Sequence, residues 1–551
     1  MKYFFMSVLL LLLFCPPVKA QVELVPVNHN VYNFMKRMQV KGIIENYSSA
    51  HLPYDRRNIY SFLQTISAGR DKLSGTDSKI LDEFIIEFTP PELQKDSLVY
   101  SFFNAPSISE IFGNTKQKYL YRYADDNASL FIDGAGYLSY RSFKGDTYDN
   151  SLVLGELGIR LRGTLYNSIG YYAHITNGRQ ISGEKGDRIT AASFDYRLAS
   201  NVKFINEKYF DSFEGYLRFA PAGWFSLTAG REGLVYGFGY ADRLFLSGNS
   251  PPFDFLKMDL SYKSLSYSFV YGNVKGDSLG RPIDSKNIVC NFLTINLGNF
   301  KLGLFEAVII ANRSLNFTYL NPFSFIISAD YSAQLRNDDN SIMGLTFEIV
   351  PFKNFAIQGT WLIDDMDFRT LFKPGGARDN KFALQAGILW NEFILPDLCL
   401  TAEYTRLDPY VYTHRTNVTS YTHWNLSLGH HLPPNSDEII LKAGYNFSQR
   451  IRMGASFSYQ RSAEGFTQNT KGEIIFNSGG NLLRGDGDLN SMPAFLKGNR
   501  YDKKTLCLNL YIEPVKQIYL SINYTRIMQD IFYLGASSSD DILYFTFGTD
   551  F

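Results

Sequence analysis

The chain is poor in cysteine, has no long apolar run beyond its first residues, and carries no excess of charge of either sign. It has 551 residues and four cysteines, Cys15, Cys290, Cys399 and Cys507. They are far apart and show no Cys-x-x-Cys spacing, so the sequence offers neither a disulfide framework nor a cysteine metal site. Lys+Arg and Asp+Glu are both 54, which argues against the basic surface of a nucleic-acid binder. No later segment approaches the roughly 18 apolar residues of a membrane helix. A chain like this crosses a membrane only with strands closed into a barrel, because lipid leaves no partner for an unpaired backbone group. Metalloprotease and phosphate-loop motifs are absent too.

What is abundant is aromatic. Phe, Tyr and Trp make up 16% of the chain, with 37 Tyr and 45 Phe. Membrane barrels need aromatic girdles at both interfaces and many β-formers, so they run high in these residues. The last eleven residues show the pattern best. Leu543, Phe545, Phe547 and Phe551 fall on one face, and Ile542, Tyr544, Thr546, Gly548 and Asp550 on the other. Similar alternation recurs at Phe225–Gly230, Leu265–Tyr271, Arg450–Tyr459 and Ile518–Thr525. Tight turns are readable at Tyr166-Asn167, Pro221-Ala222-Gly223, Lys263-Ser264, Gly298-Asn299, Pro351 to Asn354 and Phe447 to Gln449. Longer polar stretches alternate with them, as extracellular loops alternate with periplasmic turns. Counting segments gives roughly 16 to 20 strands, enough to enclose a lumen that must be a channel or be plugged.

The N-terminal region differs in kind. Lys2, the apolar run Tyr3–Phe14 and Val18-Lys19-Ala20 read as a secretory leader, with the mature chain expected from Gln21. Three helical stripes follow: Val31, Phe34, Met35 and Met38; then Ile59, Phe62, Leu63 and Ile66; then Ile80, Leu81, Phe84, Ile85 and Phe88. Ser74 or Thr76 is the expected cap of the third helix, and Pro90-Pro91 its stop. The stripes must pack on one another or on the periplasmic mouth of a barrel. Arg37, Arg56 and Arg57 read as a solvated face. The expected organisation is a leader over 1–20, a periplasmic helical segment over 21–110 and an all-β transmembrane barrel over 111–551.

One run is uncommon: Gly230-Arg231-Glu232, Tyr236-Gly237-Phe238-Gly239-Tyr240, then Arg243 through Asp254. With Tyr319-Leu320-Asn321-Pro322 and Leu428 through Glu438, it resembles the capsule-assembly Wzi family of outer-membrane proteins. That family usually has Trp-Gly where Tyr236-Gly237 stands here. The resemblance implies an antiparallel barrel of 18 strands with periplasmic helices and occluding loops. It also implies a lectin-like role, holding capsular or extracellular polysaccharide at the surface of a Gram-negative cell. Partners would be that polysaccharide, the lipid of the outer membrane, and the barrel assembly machinery reading the C-terminal strand that ends at Phe551. No enzyme activity, cofactor, metal or nucleic acid is expected.

Sugar recognition needs aromatic faces for C–H surfaces and polar side chains for hydroxyls. The candidates are Arg231, Tyr236, Asp242, Arg243, Asn249, Asp364, Asp365, Tyr410, Tyr412, His414 and Arg415. Arg231, Asp242 and Arg243 could equally form an ion-pair network across the lumen. His430 and His431 are adjacent, and on a strand they would point to opposite faces and not share a metal. The acidic run at Asp364–Asp367 lacks EF-hand spacing. A diffusion porin remains the alternative, and a barrel hydrolase using His414, His423 or His430 a remote one.

Overall fold

The computed structural model describes residues 21–551 except 105, 279–280, 283–284, 313–316, 324–338, 366–379, 416, 472–473 and 486–491. The expected leader and the carboxylate Asp367 lie outside the described residues. Among the described residues, eighteen long strands close into one antiparallel barrel, from Ser129–Gly145 to Ala536–Asp550. The first and last pair directly, from Ala135↔Asp550 to Gly145↔Asp540. Where the last strand stops, the short strand Tyr121–Ala124 takes over the same edge, pairing Tyr121↔Ile132 through Ala124↔Ser129. The seam therefore exposes little unpaired edge.

Alternation fixes which residues meet lipid. On the last strand Leu543, Phe545 and Phe547 are 38%, 42% and 49% exposed, while Ile542, one residue earlier on the opposite face, is buried. On the first, Leu138 and Tyr140 are exposed, and Ser139 and Arg141 are buried inside. Short turns gather at one end, with left-handed Tyr166, Asn167, Lys263, Gly298 and Asn354 in them. Exposed Trp224, Tyr262, Phe352, Phe393 and Phe447 form an aromatic girdle there. The turns at Asn391–Leu398 and Lys516-Gln517 carried no strong sequence signal. A closed wall with an apolar exterior belongs in a bilayer, and the protein is an outer-membrane barrel.

The three helices form where the stripes place them: α1 (Val31–Val40), α2 (Arg56–Ala68) and α3 (Gly75–Phe88). Asp55 caps α2 through the Asn58 N–H, and Ser74 caps α3 through the Asp77 N–H at 2.9 Å. Their stripes pack on one another around fully buried Met35, Met38, Ile59, Leu63, Ile66, Leu81 and Phe88. Each such side chain contributes about 1.5–3 kcal/mol of burial, and truncating Leu63 to Ala would cost about 2–5 kcal/mol.

The helices also fill the short-turn mouth of the barrel, fastened by polar contacts to its wall and turns. Lys36 and Gln39 reach Glu348, Asp55 reaches Arg218, and Glu83 binds Arg450 and Lys516. This corrects the expectation of a solvated arginine face. Arg37 and Arg56 are 7% and 5% exposed. Arg37 pairs with Asp77, and Arg56 donates to the Glu87 carbonyl while its guanidinium covers the Phe88 ring at 4.3 Å. The helical pattern showed only which face was apolar; it could not show that the polar face meets a charged wall.

Candidate functional site

The uncommon Gly-rich run is an inward plug. After the strand Phe225–Glu232 the chain turns into the lumen, and Val235–Tyr236 pairs with His51–Leu52 of the N-terminal segment. The turn Tyr240-Ala241-Asp242 points three backbone N–H groups at Glu403 of the wall, at 2.6, 3.2 and 3.2 Å. Gly239 is required there, because a Cβ would lie 1.8 Å from the Asp242 carbonyl oxygen. Phe238, Leu244, Phe245, Tyr412, Tyr421 and Leu428 pack with Phe292 and Phe305 of the wall into a dry core. One side of the lumen is therefore solid.

Several expected ligand residues hold this plug together. Tyr236 is fully buried. Asp242 accepts from the Arg243 and His431 N–H groups and from the Asn249 amide. Arg243 donates to the carbonyls of Gly237 and Ser49. Tyr412, also fully buried, donates to the Leu244 carbonyl, and its own N–H is bound by Asp364. Tyr410 donates to the Asn477 carbonyl, and His414 lies 3.1 Å from Thr419 Oγ1. Asp365 closes the strand Phe355–Asp365, with its backbone paired to Lys381. Arg415 is exposed. Arg231 binds Asp254 with two hydrogen bonds at the loop-side rim. The structure thus gathers Tyr236, Asp242, Arg243, Asn249 and Tyr412 in the plug and leaves Arg231 and Arg415 apart from it.

His430 and His431 lie in the loop before the strand Ser436–Asn446 and not on a strand, so the opposite-face argument does not apply. Their rings stack at 4.5 Å, beside Asp242. His431 bridges Asp242 at 2.7 Å and Glu438 at 3.3 Å. Burial works against its charge, but these two partners outweigh that and raise it to about 9. Burial pushes His430 down to about 4, and its Nδ1 accepts the Leu432 N–H. Burial likewise opposes the charge of Asp242, yet the two rings hold its carboxyl well below the usual range. The two hydrogen bonds of His431 and the occupied His430 Nδ1 make this a polar clamp on Asp242. In the other acidic group, Asp77, Glu392 and Asp397, Lys41 bridges the first two at 2.7 and 2.6 Å.

Two serines bear on the hydrolase alternative among the described residues. Gly-x-Ser-x-Gly spacing does occur once, at Gly276–Gly280, but Ser278 lies in the small hairpin Asp277–Ser278/Arg281–Pro282 and not at a strand-to-helix elbow. Ser268 touches His51, but it is fully buried and donates to Asp259 itself.

The other side of the lumen is open. A cavity of about 1010 Å³ runs along the strands on both sides of the seam. At its short-turn end lie His29, Ile80, Glu83, Phe84 and Glu87. Opposite, the inward-folded loop helices Lys185–Ser193, Tyr196–Ala199 and Val202–Glu207 present Tyr196, Arg197 and Ser200. That loop is held by Arg141 on Asp195 at 2.9 Å and by an apolar cluster with Phe143, Leu152 and Phe210.

Two features line the cavity. One is a charged ladder at a single height, Asp133↔Arg160↔His174↔Glu214 across four strands, with Arg160 also held by Asp550 at 2.9 and 3.0 Å. The other is an aromatic ledge. Tyr511 and Tyr519 stack at 5.2 Å, and Arg452 lies 4.1 Å over Tyr511. Gly548 separates Tyr519 from Tyr137 in the register, and a Cβ there would meet the Tyr519 ring at 2.4 Å. Among the described residues, buried donors around the cavity remain unspent: Arg141 Nε and Nη1, and Arg160 Nε. None of the ledge or ladder residues stood out in the sequence. The signal was there as inward-phase Tyr, Arg and Glu on alternating strands, but every inward position of a wide barrel is polar.

The fold is that of known outer-membrane barrels. No family model matches the sequence, and no curated protein matches it. Among solved structures it is similar to Wzi of Escherichia coli, described as an outer-membrane protein involved in group 1 capsule assembly and a carbohydrate-binding β-barrel. The TM-score is 0.57 at 13% identity, over 96% of this chain and 99% of that one. OprD of Pseudomonas aeruginosa aligns over 76% of this chain and 95% of that one, with TM-score 0.42 and 9% identity. OccAB4 of Acinetobacter baumannii aligns over 77% and 98%, with TM-score 0.45 and 10% identity. At 13% identity the likeness to Wzi is one of fold.

Proposed function

We propose that this barrel binds polysaccharide and retains it at the cell surface, without catalysis. The observation that carries the reading is the aromatic ledge of Tyr511, Tyr519 and Arg452 in a cavity where the Asp133–Glu214 ladder continues the wall beyond the seam. Pyranose rings offer C–H faces to the first and hydroxyls to the second. The match to a carbohydrate-binding barrel along nearly the whole of both chains supports the same reading. Pro251, Pro252 and Phe253, at the end of the Gly-rich run, line the cavity, and Arg231 and Arg415 stand at the loop side where a polymer would enter. A glycan array and the native surface polymer, applied to the refolded full-length barrel, test this. Saturable binding is expected, weakened by Tyr519→Ala; no binding to any glycan would refute it.

A diffusion channel is the competing reading. It is favoured by a second cavity of about 970 Å³, which shares Pro26, Arg37, Tyr196, Arg452 and Tyr511 with the first. Large, steady conductance from the wild-type protein in a planar bilayer would establish that reading instead.

A further inference from the structure

Seven neighbouring wall strands, from Leu398–Leu407 around the seam to Ser129–Gly145, carry ion pairs on their outward rows near the long-loop end. At one height the register runs Arg406↔Asp437↔Arg461↔Asp502↔Asp530. Further round it runs Arg526↔Asp541↔Lys144. These positions share their phase with lipid-facing Leu441, Phe457, Leu508 and Leu543, all 38–48% exposed.

The charges are arranged in a repeated way. Three outward tyrosines each donate to an aspartate: Tyr404 to Asp437 at 3.0 Å, Tyr459 to Asp502 at 2.5 Å, and Tyr524 to Asp541 at 2.6 Å. A cation covers each: Arg461 on Asp437 at 2.5 Å, Arg500 on Asp502 at 3.0 Å, and Arg526 near Asp541 at 3.6 Å. Lys504 adds a contact to Asp530 at 3.6 Å. Asp437 and Asp502 are only 4% and 5% exposed, whereas Arg461, Arg500, Lys504 and Arg526 are 38–45% exposed. At Asp437 and Asp502 the acid is sunk and the cation outermost; Asp530 and Asp541, 50% and 41% exposed, lie level with their cations.

Depth gives this meaning. An outward Arg or Lys costs about 2–4 kcal/mol at the bilayer midplane and about 0–1 near the interface. So many outward cations in the loop-side part of the wall therefore mark the zone of the head groups. Tyrosines directly beneath them match an interfacial girdle. Guanidinium groups held in place by buried carboxylates are pre-set for phosphate oxygens, which they bind in bidentate fashion. We infer that this face binds the phosphate groups of lipid head groups in the outer leaflet, the phosphorylated glycolipid of a Gram-negative surface. It would fix the depth of the barrel and keep ordered lipid on the side of the wall that encloses the cavity.

The test uses the full-length barrel in zwitterionic detergent and quantifies bound lipid by native mass spectrometry. The probes are lipid A carrying both phosphates and the same lipid A after phosphatase treatment. Wild type is expected to hold the phosphorylated form at least tenfold more tightly. Equal retention of the two forms by wild type overturns the proposal on its own, with no variant required. The combined variant Arg461→Gln, Arg500→Gln, Lys504→Gln, Arg526→Gln should lose the preference, with its fold checked by the heat-dependent gel shift of closed barrels. A second variant, Arg461→Lys, Arg500→Lys, Arg526→Lys, should keep most of it. A folded glutamine variant that keeps the full preference also overturns the proposal.

Discussion

Removing the Glu403 carboxylate should release the plug while leaving the wall closed. Glu403 is 2% exposed. It accepts three backbone N–H groups from Tyr240, Ala241 and Asp242 and the side-chain amides of Gln358 and Gln385, the last two at 3.0 and 3.2 Å. In Glu403→Ala four of these donors lose their acceptor, while the Gln385 amide keeps the Asp242 carbonyl and Thr405 Oγ1. A stranded buried donor costs about 1–3 kcal/mol. Water entering the space left by the side chain returns part of that, so a net loss of about 3–6 kcal/mol is expected for the plug. At about 1.4 kcal/mol per tenfold, the equilibrium between seated and displaced plug shifts by roughly two to four orders of magnitude. The wall keeps its own ladder on both sides of Glu403, with Gly387 and Ile440 as register partners. Its closure is therefore unaffected. The assay is conductance in a planar bilayer, with limited proteolysis of 234–252 as a second readout and the heat-dependent gel shift as proof of an intact barrel. Wild type should conduct little and resist cleavage; the variant should show frequent large openings and rapid cleavage. Glu403→Gln, which keeps one carbonyl acceptor, should fall between. An intact Glu403→Ala barrel with wild-type conductance and protease resistance would refute the reasoning.

Other expectations follow from the same geometry. Tyr519→Ala should weaken oligosaccharide binding by about 0.5–1.5 kcal/mol, roughly two- to tenfold by titration calorimetry. Gly548→Ala should do the same without removing any ring, because its Cβ would collide with Tyr519 at 2.4 Å; unchanged affinity in both variants would remove the ledge from the site. The His431 clamp should respond to pH. Its value is raised to about 9 from an ordinary value of about 6.5. Its contribution is therefore complete below about pH 6.5 and is lost as pH rises through about 9. Plug openings should grow more frequent over that window in wild type and stay flat with pH in His431→Gln. Phe545→Arg puts a charge on the outward face halfway down the wall, opposite Tyr140, and should cost about 2–4 kcal/mol of folding stability in lipid bilayers. Ser521→Arg, on the inward face, should cost far less.

The wall was legible because its physics is local. Period-two alternation at Leu543, Phe545 and Phe547 states which side meets lipid, and turn residues such as Lys263-Ser264 state where each hairpin reverses. The N-terminal helices were legible for the same reason, down to the Ser74 cap. Long-range placement was not. Arg37 and Arg56 look like solvent-facing residues until α3 packs beside them, with Asp77 taking the first and the Glu87 carbonyl the second. The glycine-rich run stood out as unusual, but glycines at 237 and 239 announce only a tight backbone. That the backbone is tight in order to bring three N–H groups to Glu403, over 160 residues away, has no local signature. The ledge is hidden differently. Tyr511 and Tyr519 meet across one hairpin, but Tyr137, from the first barrel strand, joins them only through closure of the seam.

The most direct measurement is equilibrium binding of the native surface polymer to wild type and to a Tyr511→Ala, Tyr519→Ala, Arg452→Gln variant, both shown to be closed barrels. The account predicts saturable binding to wild type and a loss of at least tenfold in the variant. Equal binding by the two proteins would move the sugar site out of the lumen, and no binding by either would end the polysaccharide reading altogether.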